Sequence, residues 1–507
     1  MIIFYSLVIE MGEGKWRYNM LNKEVGKRFL YFAITVMISS IAYYFSTGIY
    51  NYWFLTWLAP IPLFVYALRE STLSVFFASI ITYFIGFSSS VFVYSNTVIP
   101  IWILAFENAI NAIIFTILTV LLRYMVFKKK HWAWSFVFAS GWTGFEFITS
   151  LHSSAGTFDS IAYTQIFNLP VIQIASITGI WGVTFLLMLI PAGMALSWHY
   201  RKNSKLCLKT IAAPISILIL TIIFGFYRLN VPIQGPSVKI GMASINMSLE
   251  ELRSRGQEKE AEKIISRYIH CIELLSRSGA EVILLPEKII ALNLNEQPKF
   301  LQLLADAARN NRITLIAGLS IQDDSKLYNS AYLFLPSGEI VLKYDKQHLL
   351  PFSEGSYTPG QEFSIRTLED RGIWGIAICK DMDFQEPSRG YSQRGVNLLF
   401  VPALDFKADA LLHARIAIMR GIEGNYAVAR AAQWGLLSLS SNKGNIIDMA
   451  SNDMKKSDVL LIGEIKLDQG KSIYGRLGNW FGYFSEGLFA FLVLVFLLLS
   501  KRKSNCD

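Results

Sequence analysis

An α-helical polytopic membrane domain joined to a layered α/β domain is the fold class that three features of this sequence predict. Of its 507 residues, 53% are hydrophobic and 14% aromatic, and the mean hydropathy is +0.38, too apolar for an ordinary soluble protein. About eight stretches are apolar over a length that crosses a ~30 Å hydrocarbon core. From about Tyr227 to Asn479 the texture changes to short apolar strands alternating with amphipathic helices.

The candidate spans are Phe29–Ser46, Asn51–Leu68, Ser71–Tyr94, Ile99–Phe127, Trp132–Leu151, Val171–Trp198, Leu208–Phe226 and Phe481–Ser500. Basic residues alternate with them. Lys15, Arg17, Lys23, Lys27 and Arg28 precede the first, Arg69 follows the second, Lys128, Lys129 and Lys130 the fourth, Arg201, Lys202, Lys205 and Lys209 the sixth, and Lys501, Arg502 and Lys503 the last. The loops Thr47–Tyr50, Ser95–Val98 and His152–Pro170 carry no lysine or arginine. The positive-inside rule therefore predicts cytoplasmic termini and a long segment outside the cytoplasm between the last two spans. Met1–Ile9 is apolar but runs into Glu10 and Glu13, without the charge, core and cleavage order of a signal peptide. An uncleaved first span is expected, with Met1 or Met11 as the start. Trp53, Trp57, Trp102, Trp132 and Trp134 read as interfacial anchors.

In the α/β region, Val238–Ala243, Glu281–Leu285, Ile313–Ala317, Ala331–Leu335, Gly375–Cys379 and Asn397–Val401 read as buried strands. Leu249–Ser276, Asn295–Asn310 and Leu411–Asn425 read as amphipathic helices, and Pro336-Ser337-Gly338 as a hairpin turn. Alternation of this kind predicts layered sheets and helices.

The formal net charge of +9 does not indicate nucleic acid binding, because the cations cluster beside apolar runs, where topology explains them. Cys207, Cys271, Cys379 and Cys506 form no CxxC or Cys/His cluster, so neither a metal site nor a disulfide framework is expected. Cys379 stands out, since it closes the run Gly375-Ile376-Ala377-Ile378, and a strand end is where α/β enzymes present nucleophiles. Glu287 emerges from Leu284-Leu285-Pro286 at another strand end, as a base for that thiol. Lys346, in Tyr344-Asp345-Lys346-Gln347-His348, supplies an amine that stabilises a tetrahedral oxyanion where water is excluded. Glu107 and Asn108 in the fourth span and Glu146 in the fifth are polar groups at membrane depth, read as a flank to a lipid access path or as links between helices.

These motifs resemble those of the nitrilase superfamily. Leu284-Leu285-Pro286-Glu287, Tyr344 to Leu349 with Pro351-Phe352-Ser353-Glu354, and Ile378-Cys379 with Asp381 correspond to its three motifs. A domain of that kind set between membrane spans resembles the apolipoprotein N-acyltransferase family, a likeness that includes Trp57 to Leu63, Gly179 to Leu186, Arg430 to Gly435 and Tyr474 to Trp480. The resemblance implies an αββα sandwich over residues 227–479, preceded by a seven-helix membrane domain at 1–226 and followed by a last helix and basic tail at 480–507. It also implies catalytic roles for Glu287 as general base, Lys346 as oxyanion stabiliser, Cys379 as nucleophile and Glu354 as a supporting carboxylate.

The implied reaction is ping-pong: an acyl chain passes from phospholipid to the thiol and then to the α-amine of a diacylglyceryl-cysteine lipoprotein, in a bacterial cell membrane and without a cofactor. A hydrolase of the same superfamily, or a transferase with another amine acceptor, is the alternative. The chain departs from the family at Lys380-Asp381, where Tyr-Glu is common, and at Ser244-Ile245-Asn246, where Gln-Gly-Asn is usual. Lys380, Asp381 and Glu146 are the candidate substrate contacts. The Lys380 charge is expected to lower the pKa of the thiol.

Overall fold

The computed structural model describes residues 2–94, 99–407, 409–451 and 457–501, so Met1, the Ser95–Val98 loop, Arg502, Lys503 and Cys506 lie outside the described residues. The first half is helical: α1 (Ile2–Ser46), α2 (Leu55–Leu58), α3 (Pro60–Ala67), α4 (Thr72–Gly86), α5 (Ser88–Tyr94), α6 (Ile101–Lys128), α7 (Ser135–His152), α8 (Leu169–Ile172), α9 (Ala175–Thr178), α10 (Ile180–His199) and α11 (Ser204–Asn230). Among the described residues six helices are long and apolar enough to cross a membrane: Glu24–Ser46, Thr72–Val91, Ile101–Lys128, Ile180–His199, Ser204–Asn230 and Trp480–Lys501.

Two predicted spans differ for local reasons. Asn51–Leu68 is interrupted where Pro60 opens a new helix, and its apolar part, Leu55–Ala67, is only ~20 Å long at 1.5 Å per residue. Val171–Trp198 breaks at Gly179, whose φ of +66° leaves α10 as the long piece. A Cβ at Gly179 would meet the Tyr474 ring at 2.6 Å. The predicted fifth span is the helix α7, which carries Ser140, Thr143, Glu146 and Ser150, is less apolar than the six, and packs against α6, α10 and the final helix. Trp134 is not an interfacial anchor: it is buried, its indole donating to the Lys129 carbonyl at 2.7 Å. Trp102 is exposed.

The second half is a sandwich of two mixed sheets. Its strands are β1 (Ser237–Ser244), β2 (Val282–Leu284), β3 (Ala291–Leu292), β4 (Thr314–Asp323), β5 (Lys326–Phe334), β6 (Ile340–Asp345), β7 (Ser364–Leu368), β8 (Gly372–Ile376), β9 (Leu398–Leu404), β10 (Ala427–Gln433), β11 (Leu436–Ser440), β12 (Ile446–Ser451) and β13 (Val459–Lys466). One sheet has the order β13-β1-β2-β4-β5-β6, with β3 on β4, and the other β12-β11-β10-β9-β8-β7. The side-chain period of two explains the layering. Val238, Ile240 and Met242 of β1 face the second sheet, packing with Ile376, Leu398 and Phe400. Ala243 and Ile283 turn instead to the outer helices α13 (Glu258–Arg277) and α14 (Gln297–Asn311). The predicted helix Leu249–Ser276 is split into α12 (Leu249–Ser254) and α13 at Arg255-Gly256-Gln257.

On the other side, α15 (Gln385–Gln393) and α16 (Ala410–Gly424) cover the second sheet, and α17 (Ile473–Leu477) leads into α18 (Trp480–Lys501). The outer face of α16 is seated on the helical bundle: Ile416, Met419 and Ile422 share one apolar core with Tyr163, Ile172 and Ile180. Inside this junction Arg420 and Glu423, both essentially inaccessible, form an ion pair. Arg420 also donates to the Met382 carbonyl at 2.9 Å, the Tyr163 hydroxyl at 3.0 Å and Thr157. Glu423 accepts the Ile180 amide at 2.7 Å, at the start of α10, where a negative charge is favoured. Replacement Glu423→Gln would leave a buried guanidinium without its counter-charge and is expected to destabilise the chain by roughly 3–5 kcal/mol. Thermal unfolding of the detergent-solubilised variant measures this, and an unchanged melting temperature would refute it.

Candidate active site

Three strand ends and one loop converge where the sandwich meets the bundle. Pro286, with no amide proton, ends β2, and Glu287 follows with its own amide donating across the sandwich to the Ala403 carbonyl at 3.2 Å. Gly318 makes this turn possible, because a Cβ there would lie 2.5 Å from the Pro286 carbonyl oxygen and 2.7 Å from the Glu287 Cα. Lys346 leaves the end of β6, its amide held by the Asn329 carbonyl at 2.8 Å. The strand expected to reach Cys379 stops at Ile376, and Cys379 opens a 3-10 turn, Cys379–Asp383, with a φ of +45°. Left-handed backbone at a non-glycine residue persists only where surrounding bonds enforce it.

Asp381 supplies those bonds. Its carboxylate accepts from the Ile378 amide at 3.0 Å, the Tyr344 hydroxyl at 2.8 Å, and the amides of Gln347 and His348 at 3.1 and 2.8 Å. It is fully buried and is not one of the residues on the cavity wall, so it ties the Cys379 turn to the segment after Lys346 rather than meeting a substrate. Glu146 is likewise internal. Trp142, Ser160 and Thr184 donate to it at 2.8–2.9 Å, and it too is absent from the cavity wall.

Glu287, Lys346, Glu354 and Cys379 open on one cavity of about 400 Å³. The Lys346 ammonium donates to Glu287 Oε1 and Glu354 Oε2, both at 2.9 Å. Asn329 donates to Glu287 Oε1 at 2.5 Å and to Glu354 Oε1 at 2.8 Å, and Lys288 to Glu354 at 2.5 Å. Two carboxylates and two ammoniums thus balance within a buried cluster. Glu287 Oε2 is left buried with no hydrogen-bond partner among the described residues. Burial alone would lower the Lys346 pKa, but Glu287 and Glu354 hold it well above the usual lysine range. Burial works against ionised Glu354 as well, and Lys346 and Lys288 overcome it, keeping that carboxyl far below the usual range.

Cys379 keeps part of its surface open to the cavity. Burial of the sulfur nevertheless pushes the thiol pKa well up, and Glu287 adds to the rise against the pull of Lys346. This reverses the expectation that Lys380 lowers it. The Lys380 ammonium faces Asp383, 3.8 Å away, and lies 5.6 Å over the Phe384 ring, on the cavity wall. A neutral thiol flanked by a carboxylate with a free oxygen suits proton transfer during attack rather than a standing thiolate.

Sequence reasoning missed Lys288, Asn329, Gly318 and the buried bidentate pair of Arg430 with Asp405, at 3.0 and 2.5 Å, whose charges act on the thiol. Of these, Lys288 carried a signal in its place beside Glu287 and Arg430 one in the Arg430 to Gly435 likeness; Asn329, Gly318 and Asp405 carried none. Phe87, Ile103 and Leu104 of the bundle add apolar surface to the cavity, and Glu107 adds a carboxyl to the same wall.

His413 of α16 closes another wall. Burial would lower its pKa, but Asp409, 3.0 Å from its Nε2, and Asp383 raise it to about 10. A folded-state pKa above the unfolded value of about 6.5 contributes stability that is full below pH 6.5 and lost as pH rises through 10. Replacement His413→Gln is therefore expected to flatten the fall in stability across that window. An unchanged alkaline limb in melting temperatures measured against pH would refute the charge assignment.

Comparison with known proteins matches this architecture. Residues 39–193 fit the apolipoprotein N-acyltransferase N-terminal domain and residues 242–473 the carbon-nitrogen hydrolase domain. The apolipoprotein N-acyltransferase of Geobacter metallireducens is 26% identical over 72% of this chain and 74% of its own length. Apolipoprotein N-acyltransferase 1 of Treponema denticola is 24% identical over 94% of this chain and 98% of its own. Among solved structures, an amidase from Nesterenkonia sp. aligns at a TM-score of 0.38 and 18% identity, over 47% of this chain and 94% of the amidase. The two domain matches fall on the helical half and the sheet half in turn, relatives align across both, and the chain accordingly belongs to the apolipoprotein N-acyltransferase family of membrane N-acyltransferases.

Proposed function

We propose that the chain moves a fatty acyl group from a membrane phospholipid, through a thioester on Cys379, to the α-amine of a diacylglyceryl-cysteine lipoprotein. The observation that carries this reading is the shared cavity, in which Glu287, Lys346, Glu354 and Cys379 face helices apolar enough to lie in lipid. In the first half-reaction Glu287 Oε2 takes the thiol proton as sulfur attacks the ester carbonyl. Lys346 Nζ donates to the oxyanion, and collapse expels the lysophospholipid oxygen, which takes the proton back from Glu287. In the second, the lipoprotein amine attacks the thioester, Glu287 accepts its proton, and the departing Cys379 sulfur recovers it, leaving an amide. Glu354 acts as a positioning residue that fixes Lys346. Lys380, the member of the Lys380-Asp381 pair on the cavity wall, is the one available to meet the acceptor.

The charge pattern supports a bacterial cell membrane setting with the sandwich outside the cytoplasm. Arg69, Lys130, Arg201 and Lys202 gather at the bundle end away from the sandwich. The corresponding division of the chain is a membrane domain at 1–226, a catalytic domain at 227–479 and a terminal helix with its tail at 480–507.

Mass spectrometry of the protein extracted with phospholipid is expected to find one fatty acyl group on Cys379 and none in Cys379→Ala. Incubation with a diacylated lipopeptide should then add one acyl group to the peptide amine. Release of free fatty acid without peptide acylation would replace the transferase reading with a hydrolase. Glu287→Gln is expected to slow single-turnover acylation by about 10²–10⁴-fold, the usual contribution of a general base, with phospholipid affinity little changed. A rate within threefold of the wild type, roughly, would remove Glu287 from that role.

A further inference from the structure

A second cavity, of about 550 Å³, lies at the far end of the bundle, separate from the Cys379 cavity. Three connections distant in sequence supply its cations: Arg69 after α3, Lys130 between α6 and α7, and Arg201 and Lys202 between α10 and α11. α10 begins at the Glu423 junction and ends here, and its 20 residues set the two ends roughly 30 Å apart.

Scattered positive charge at such an end needs no ligand, since topology accounts for it. Convergence is another matter. Arg69, Lys130, Arg201 and Lys202 line one cavity together with His199. Among the described residues, the ion pairs present join other groups and leave these four cations without a carboxylate. Glu70, next in sequence to Arg69, is not on the cavity wall. Arg201 is held in place, its guanidinium 4.9 Å over the Trp198 ring and donating to the Trp198 carbonyl at 3.0 Å. Val65, Leu68 and Leu206 give the same cavity apolar surface, and Trp198 is half exposed beside it.

Like charges gathered in a recess beside apolar surface repel one another unless an anion joins them, and a lipid phosphate reaches such a recess from the bilayer with its glycerol and acyl chains on the apolar side. We propose that this cavity binds the phosphate of an anionic phospholipid headgroup, through Arg69, Lys130 and Arg201, at a site distinct from the one that supplies acyl chains. The bound lipid would neutralise like charges that three connections bring to one recess.

The test uses the full chain, purified in detergent and titrated with phosphatidylglycerol, phosphatidylcholine or inorganic phosphate, with bound lipid read by native mass spectrometry. Phosphatidylglycerol should be retained in preference to phosphatidylcholine, and the triple variant R69Q/K130Q/R201Q should lose at least about tenfold in affinity. The control K128Q/K129Q/K205Q removes three charges that do not line the cavity and should keep the binding, as should the charge-preserving R69K/R201K. Acyl-enzyme formation on Cys379 in every variant verifies that each is folded. Equal retention of the two lipids, an equal loss in the control, or displacement of the lipid by inorganic phosphate at comparable concentration would overturn the assignment.

Discussion

A guanidinium and a carboxylate buried three residues apart on α16 hold the two halves of this molecule in register. Glu423 grips the first amide of α10, and Arg420 reaches the Met382 carbonyl, three residues beyond Cys379. The same pair therefore sets the position of a helix long and apolar enough to cross a membrane and of the turn that carries the thiol. In a low-dielectric junction neither charge is tolerable without the other, so the contact acts as a unit. The apolar packing of Ile416, Met419 and Ile422 against the bundle supplies adhesion, which by its non-directional nature would not select one orientation.

The cluster around Lys346 obeys the same rule on a smaller scale. Glu287 and Glu354 would repel each other inside the protein, and Lys346, Lys288 and Asn329 between them make both carboxylates stable there. Because those donors reach only one oxygen of Glu287, its other oxygen is held ready by the arrangement that neutralises the first. The thiol stays protonated for a related reason, since burial and a neighbouring carboxylate both disfavour a second negative charge. In the proposed reaction that keeps Cys379 quiescent until an acyl carbonyl arrives to receive its electrons, and the apolar side of the cavity is the side from which such a carbonyl comes.

Several parts of this were readable from local signals. Long apolar runs marked α4, α6, α11 and α18, and the turn residues Pro336 and Gly338 marked the β5–β6 hairpin. Other local signals misled. Pro60 and Gly179 interrupted runs that hydropathy treats as continuous, because averaging over a window ignores which residue breaks the backbone ladder. The pattern Gly375 to Cys379 read as one strand, yet Asp381 joins the Ile378 amide to donors more than thirty positions away and bends the chain at Cys379. Strands β10 to β13 went unassigned because they carry Arg430, Ser438 and Asp448 among their apolar residues, and those positions make sense only beside their partners.

Composition and short motifs indicated that the chain lies in a membrane, that a sheet domain interrupts its helices, and that a thiol and a carboxylate follow strand-like runs. Those properties depend on solvent preference and on the few residues either side of a backbone position, both of which are written along the chain. Which charge pairs with which was decided by folding: Asn329 joins Glu287 to Glu354, Lys380 turns to Asp383, Asp381 becomes a brace, and the thiol's pKa rises where its neighbouring lysine had suggested a fall. Electrostatic energy depends on distance and on exclusion of water, and neither exists for these groups until strands and helices far apart in sequence are brought together.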